Sequence, residues 1–112
     1  MPVETTQLPS GAVVIALSGR LILGKEVEKL EAAVNLALAG GARKLIFDLA
    51  ALDYADSAGI GTIISCLTQI RKSGGDMKVA AVNQRIGRLF QLTGLNHLMS
   101  LYPNVADAAA AG

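Results

Sequence analysis

Few residues in this sequence combine a reactive group with a spacing that suggests chemistry. The strongest set is Asp56-Ser57-Ala58-Gly59-Ile60-Gly61. Ser57 falls where a loop, after a buried strand, turns into a helix. At such a point an Asp or Ser side chain accepts hydrogen bonds from the first free N–H groups of the helix. The same end suits an anion, because several N–H groups point outward and the dipole is positive there. A phosphoryl group on Ser57 is therefore physically acceptable. Plain capping by Ser57 or Asp56 accounts for the same residues, and the two roles are compatible. Gly59 and Gly61 lie in the first turn. Glycine is poor in helix interiors, so its use twice points to close approach of another backbone or of a partner.

Other candidate constellations fail on chemistry. Gly19-Arg20-Leu21-Ile22-Leu23-Gly24-Lys25-Glu26 matches most of a P-loop. Glu26, however, stands where the hydroxyl for Mg²⁺ belongs. Gly19 and Gly24 read more simply as turn residues. A serine hydrolase needs a base for Ser57, but His97 is the single histidine and Ala55 replaces the first glycine of a nucleophile elbow. Cys66 and His97 have no companions at ligand spacing, so neither metal nor cofactor is expected. Cys66 reads as a small packed hydrophobe, and Tyr54 and Phe90 as core or near-core residues.

The chain around these residues fits one domain over 1–112. Hydrophobic residues are 52% and charged residues 17%, which supports a packed core without disulfides or metal. The net charge is +1 with no basic patch, which argues against direct nucleic-acid binding. One cysteine excludes an intramolecular disulfide and fits a reducing compartment. The start, Met1-Pro2-Val3-Glu4, lacks a secretory pattern. The apolar runs are too short for membrane insertion. A cytoplasmic location is the expectation.

The elements that must position Ser57 follow from periodicity. Strands are expected at 3–7, 12–18, 44–49, 77–82 and 98–101. Helices are expected at 25–39, 57–73, 84–93 and 103–111. The helix over 57–73 has Ile60, Ile63, Ile64, Leu67 and Ile70 as its buried stripe. Alternating strands and helices predict an α/β domain: a mixed sheet of four to five strands, with helices packed mainly on one face.

The chain resembles a STAS domain, the family of anti-sigma factor antagonists and related modules. The likeness rests on Asp56-Ser57-Ala58-Gly59-Ile60-Gly61, on Leu45-Ile46-Phe47-Asp48-Leu49 with Leu52-Asp53-Tyr54-Ala55 upstream, and on Gly74-Gly75-Asp76-Met77-Lys78-Val79 and Arg88-Leu89-Phe90-Gln91-Leu92-Thr93-Gly94-Leu95 downstream. The resemblance implies a binding regulator and not an enzyme. It implies phosphorylation of Ser57 by an anti-sigma factor that is also a serine kinase. The unphosphorylated form would sequester that kinase, and a PP2C-type phosphatase would reset the cycle. It implies a partner surface of Asp56, Ser57, Ala58, Gly59 and Gly61 with Arg20 and Ile22. It leaves oligomerisation open. Many antagonists carry Gly-Glu-Leu-Asp where this chain has Gly19-Arg20-Leu21-Ile22, so an acidic pair is replaced. That departure keeps an alternative alive: a scaffold subunit of a stress-signalling complex or of a transporter.

Overall fold

The structure, a computed structural model, describes residues 3–111; positions 1, 2 and 112 of the expected domain lie outside the described residues. In chain order the elements are β1 (Val3–Gln7), β2 (Val13–Leu21), α1 (Lys25–Ala39), β3 (Lys44–Ala55), α2 (Ser57–Lys72), β4 (Asp76–Ala80), α3 (Gln84–Thr93), β5 (Ser100–Tyr102) and α4 (Val105–Ala110). A short 3₁₀ turn at Leu95–His97 precedes β5. The strands lie in sequence order, β1-β2-β3-β4-β5. β1 is antiparallel to β2, and the other pairs are parallel.

Parallel neighbours require crossover helices, and crossovers keep one hand. Strands added always in the same direction therefore place α1, α2 and α3 on one face. Against that face pack Ile15 and Leu17, Leu45, Phe47 and Leu49, and Met77 and Val79. The helices answer with Val27, Leu30 and Val34, with Ile63, Leu67 and Ile70, and with Ile86 and Phe90. The opposite face is smaller. Ala12, Val14, Ile46 and Ala80 pack against Ala108 of α4. Lys44 anchors α4 by donating to the carbonyls of Ala109 and Ala111 at 2.6 and 2.5 Å, a favourable place for a cation.

Several sequence expectations need correction. β2 runs to Leu21 and β3 to Ala55, well past the expected ends at 18 and 49. Gly19 is thus a strand residue and not a turn. Its φ of 77° coincides with a register shift between Gly19 and Arg20, as a bulge glycine allows. β4 stops at Ala80, because Ala81 adopts a left-handed φ of 63° and donates its N–H to the Tyr102 carbonyl. β5 sits at Ser100–Tyr102 instead of 98–101, and α4 begins only after Asn104, which caps it. Ile64 is exposed, and Cys66 takes the buried place expected for it.

β4 pairs with β3 only over Lys44–Asp48. Beyond Asp48, β3 continues with β2 alone, as a two-stranded ribbon that carries Arg20, Leu21, Tyr54 and Ala55 to the start of α2.

Candidate functional site

The strand-to-helix junction is shorter than the sequence suggests. No loop intervenes; Asp56 alone separates β3 from α2. Its backbone is extended, and its Oδ1 accepts from the Gly59 N–H at 2.7 Å. Its Oδ2 accepts from the Leu23 N–H at 3.0 Å, and its own N–H donates to the Leu21 carbonyl at 3.2 Å. One carboxylate therefore caps α2 and also ties down the β2–α1 loop. The N–H groups of Leu23 and then Gly59 hold the Asp56 carboxyl below the ordinary carboxylate range, since hydrogen bonds to the charged form favour it.

With Asp56 as cap, Ser57 is released from that task. It is the first residue of α2, it is exposed, and its hydroxyl has no hydrogen-bond partner among the described residues. An exposed, unengaged hydroxyl at a helix start is open to a modifying enzyme.

The two glycines differ. A Cβ on Gly59 would lie 2.3 Å from the Leu21 carbonyl oxygen, so this glycine lets α2 pack directly on β2. Gly59, expected on the partner surface, is buried in the isolated chain. Gly61 is exposed, with open space where a side chain would be. Ala58 and Ile22 are half-buried beside the junction.

Arg20 and Tyr54 are register partners on the ribbon. The Arg20 guanidinium lies 5.4 Å from the centre of the Tyr54 ring, within cation–π range. Tyr54, read from the sequence as core or near-core, is 43% exposed; Phe90, read the same way, is fully buried. Leu23, in the strapped loop, is 74% exposed.

Sequence reasoning missed a groove beside Ser57. It holds about 560 Å³ between the β3–α2 junction and α3. Tyr54, Ser57 and Ile60 line one side, and Arg85, Arg88, Leu89 and Leu92 the other. Leu92 is 79% exposed. Asn83 sets α3 in place: its Oδ1 accepts from the Ile86 N–H at 2.8 Å, and its Nδ2 donates to the Leu52 carbonyl at 2.7 Å. The sequence signal was the spacing of Arg85, Arg88 and Leu92 on one helix stripe, which cannot be read as a site until the opposing wall is known.

The remaining reactive groups are placed elsewhere. Cys66 is buried, and desolvation, with a smaller contribution from Glu31, pushes its thiol up to about 12; such a thiol is inert. His97 is exposed on the 3₁₀ turn. Among the described residues no three His, Cys, Asp or Glu side chains gather as metal ligands. No helix among them is long and apolar enough to cross a membrane.

A candidate anti-sigma factor antagonist, BtrV of Bordetella bronchiseptica, is 28% identical over 103 residues, covering 90% of this chain and 85% of its own length. The anti-sigma-B factor antagonist of Staphylococcus aureus is 33% identical over 73 residues, covering 65% of this chain and 68% of its own. The crystal structure of an anti-sigma factor antagonist from Mycobacterium paratuberculosis superposes with a TM-score of 0.81 at 26% identity, over 96% of this chain and 90% of that one. Two more distant structures share the fold. SpoIIAA of Bacillus in its phosphorylated form has a TM-score of 0.75 at 22% identity, over 96% of each chain. A sulfate transporter family protein of Wolinella succinogenes has a TM-score of 0.82 at 14% identity, over 94% of this chain and 87% of that one. The sequence profile of the STAS domain matches residues 4–108. The chain belongs to the STAS domain family.

Proposed function

We propose that this protein is an anti-sigma factor antagonist: a binding regulator of transcription, switched by phosphorylation of Ser57. In its unphosphorylated form it sequesters a kinase-type anti-sigma factor, and a PP2C-type phosphatase resets it. The observation that carries this reading is the state of Ser57, whose exposed hydroxyl is left unengaged because Asp56 performs the capping. The names of the Bordetella and Staphylococcus relatives support the same function. The existence of SpoIIAA in a phosphorylated form supports such a state for a protein of this fold.

The partner surface in this reading is the face around Ser57: Ala58 and Gly61 on α2, Arg20 near the end of β2 with Ile22 just past it, and the groove to α3. A phosphate there adds about −1.5 to −2 charges. Against one partner carboxylate about 6 Å away, at an effective dielectric of about 20, each charge costs roughly 3 kcal/mol before screening. The test is to incubate the protein with its cognate anti-sigma factor kinase and ATP and to map phosphate by mass spectrometry. Stoichiometric modification at Ser57, abolished in Ser57→Ala, is expected. Phosphate at another residue, or none, contradicts the reading.

A second reading, a STAS scaffold in a signalling complex or transporter, draws on exposed Arg20 standing where antagonists carry an acid. Co-purification separates the two: an anti-sigma factor supports the first, and a large assembly or a transporter supports the second.

A further inference from the structure

The groove beside Ser57 has a cationic wall that the fold does not use. Arg85 and Arg88 lie about one turn apart on α3, and both line the hollow that Ser57 lines from the other side. Arg88 makes no ion pair or hydrogen bond with any described residue. Arg85 donates only to the Asp53 carbonyl, at a long 3.5 Å. Two carboxylates are near. Asp56 already uses both oxygens on the N–H groups of Leu23 and Gly59. Asp53 lines the adjoining hollow with both arginines and forms no ion pair with either. One guanidinium with no partner among the described residues and one held only by a long bond thus line a groove whose opposite wall carries an unengaged hydroxyl.

We propose that Arg85 and Arg88 form a binding site for a phosphate monoester, and that its ligand is the phosphate carried by Ser57 of the same chain. This rests on the reading that Ser57 is phosphorylated. Guanidinium groups match phosphate oxygens in two-pronged hydrogen bonds, and a phosphate near full ionisation takes two cations in place of one. Leu89 and Leu92 line the same side of the groove as the two arginines, and long arginine stems on an exposed helix face let their heads reach toward α2. Capture has a consequence for the switch. It withdraws both arginines from any acidic partner and bridges the groove between its two walls. The phosphate then acts by neutralising and closing the docking face, and the charge left uncompensated is what repels a partner.

The experiment installs phosphoserine at position 57 by genetic incorporation, so that no kinase is needed. The second ionisation of the phosphate, ordinarily near about 6, is followed by ³¹P NMR. Capture lowers it, and the Arg85→Gln/Arg88→Gln double variant should raise it by about half a unit or more. Whatever lowering persists in that variant belongs to the start of α2. The Arg85 and Arg88 side-chain N–H signals should also shift on phosphorylation. Equal titration in the two proteins overturns the proposal. A difference that fades on dilution also overturns it, because the phosphate is then held by a second copy. If the double variant fails to fold, Arg88→Gln alone gives the same readings, since that side chain is exposed and bonded to nothing among the described residues. Failure of any kinase to modify Ser57 would refute the proposed function and leave this result standing.

Discussion

The two halves of β3 are built for different ends. From Lys44 to Leu49 the strand has neighbours on both sides over most of its length, and Leu45, Ile46, Phe47 and Leu49 are fully buried. From Ala50 to Ala55 it pairs with β2 alone, and only Leu52 and Ala55 are buried. The first half is covered by helices on both faces. The second is a projecting ribbon whose tip delivers Asp56 and Ser57. Stability is concentrated in one half and the candidate binding face in the other. The junction between them is held by few but specific contacts: Asp56 to Leu23 and Gly59, and Gly59 on Leu21.

That contrast can be broken by substitution. Phe47→Ala removes a fully buried ring from the first half and should cost about 3–5 kcal/mol. Tyr54→Ala, on the ribbon, should cost less than about 1 kcal/mol, mostly the contact with Arg20. Urea denaturation of both variants measures the gap; equal losses would erase the distinction.

The junction glycines sharpen it. Gly59→Ala drives a methyl group into the Leu21 carbonyl and should destabilise by about 1–3 kcal/mol. Gly61→Ala has open space and should stabilise by about 0.5–1 kcal/mol through helix propensity. Thermal melts of the pair should therefore move in opposite directions.

Asp56→Ala should have a smaller effect, a fall of a few degrees in Tm at pH 7 through loss of the cap. Its pH dependence is diagnostic. The Asp56 carboxyl is lowered on folding from 3.8. Its contribution is therefore fully present above that pH and lost as pH falls through the folded value. Wild type and variant should converge below about pH 4. A constant difference down to pH 2 would show that Asp56 acts through something other than its charge.

Much of this was legible in the residues. The 3.6 period fixes α1 at 25–39 and places α2 within one residue, because each helix buries one clear stripe. The α/β layering follows from the alternation of strands with helices; the order of the strands does not, and comes from the structure. The ribbon was not legible. Gly19 reads as a turn residue, and Ala50, Ala51 and Asp53 are poor strand formers. Their extended conformation comes from pairing with each other across more than thirty residues, which overrides local propensity. Asp56 reads as a rival cap to Ser57, but its second bond, to Leu23, is non-local and leaves no trace in sequence spacing. The groove needed the packing of α3 against the ribbon, set by Asn83 and Leu52. Arg85, Arg88 and Leu92 alone read as an ordinary helix surface.

Control of partner binding by the charge state of residue 57 can be measured directly. The quantity is the affinity of the cognate kinase-type anti-sigma factor for wild type, Ser57→Ala and the form phosphorylated at Ser57, determined by calorimetry at fixed salt. Wild type and Ser57→Ala should bind alike, and the phosphorylated form should bind about 100-fold more weakly. Equal affinity of all three would contradict a switch at Ser57.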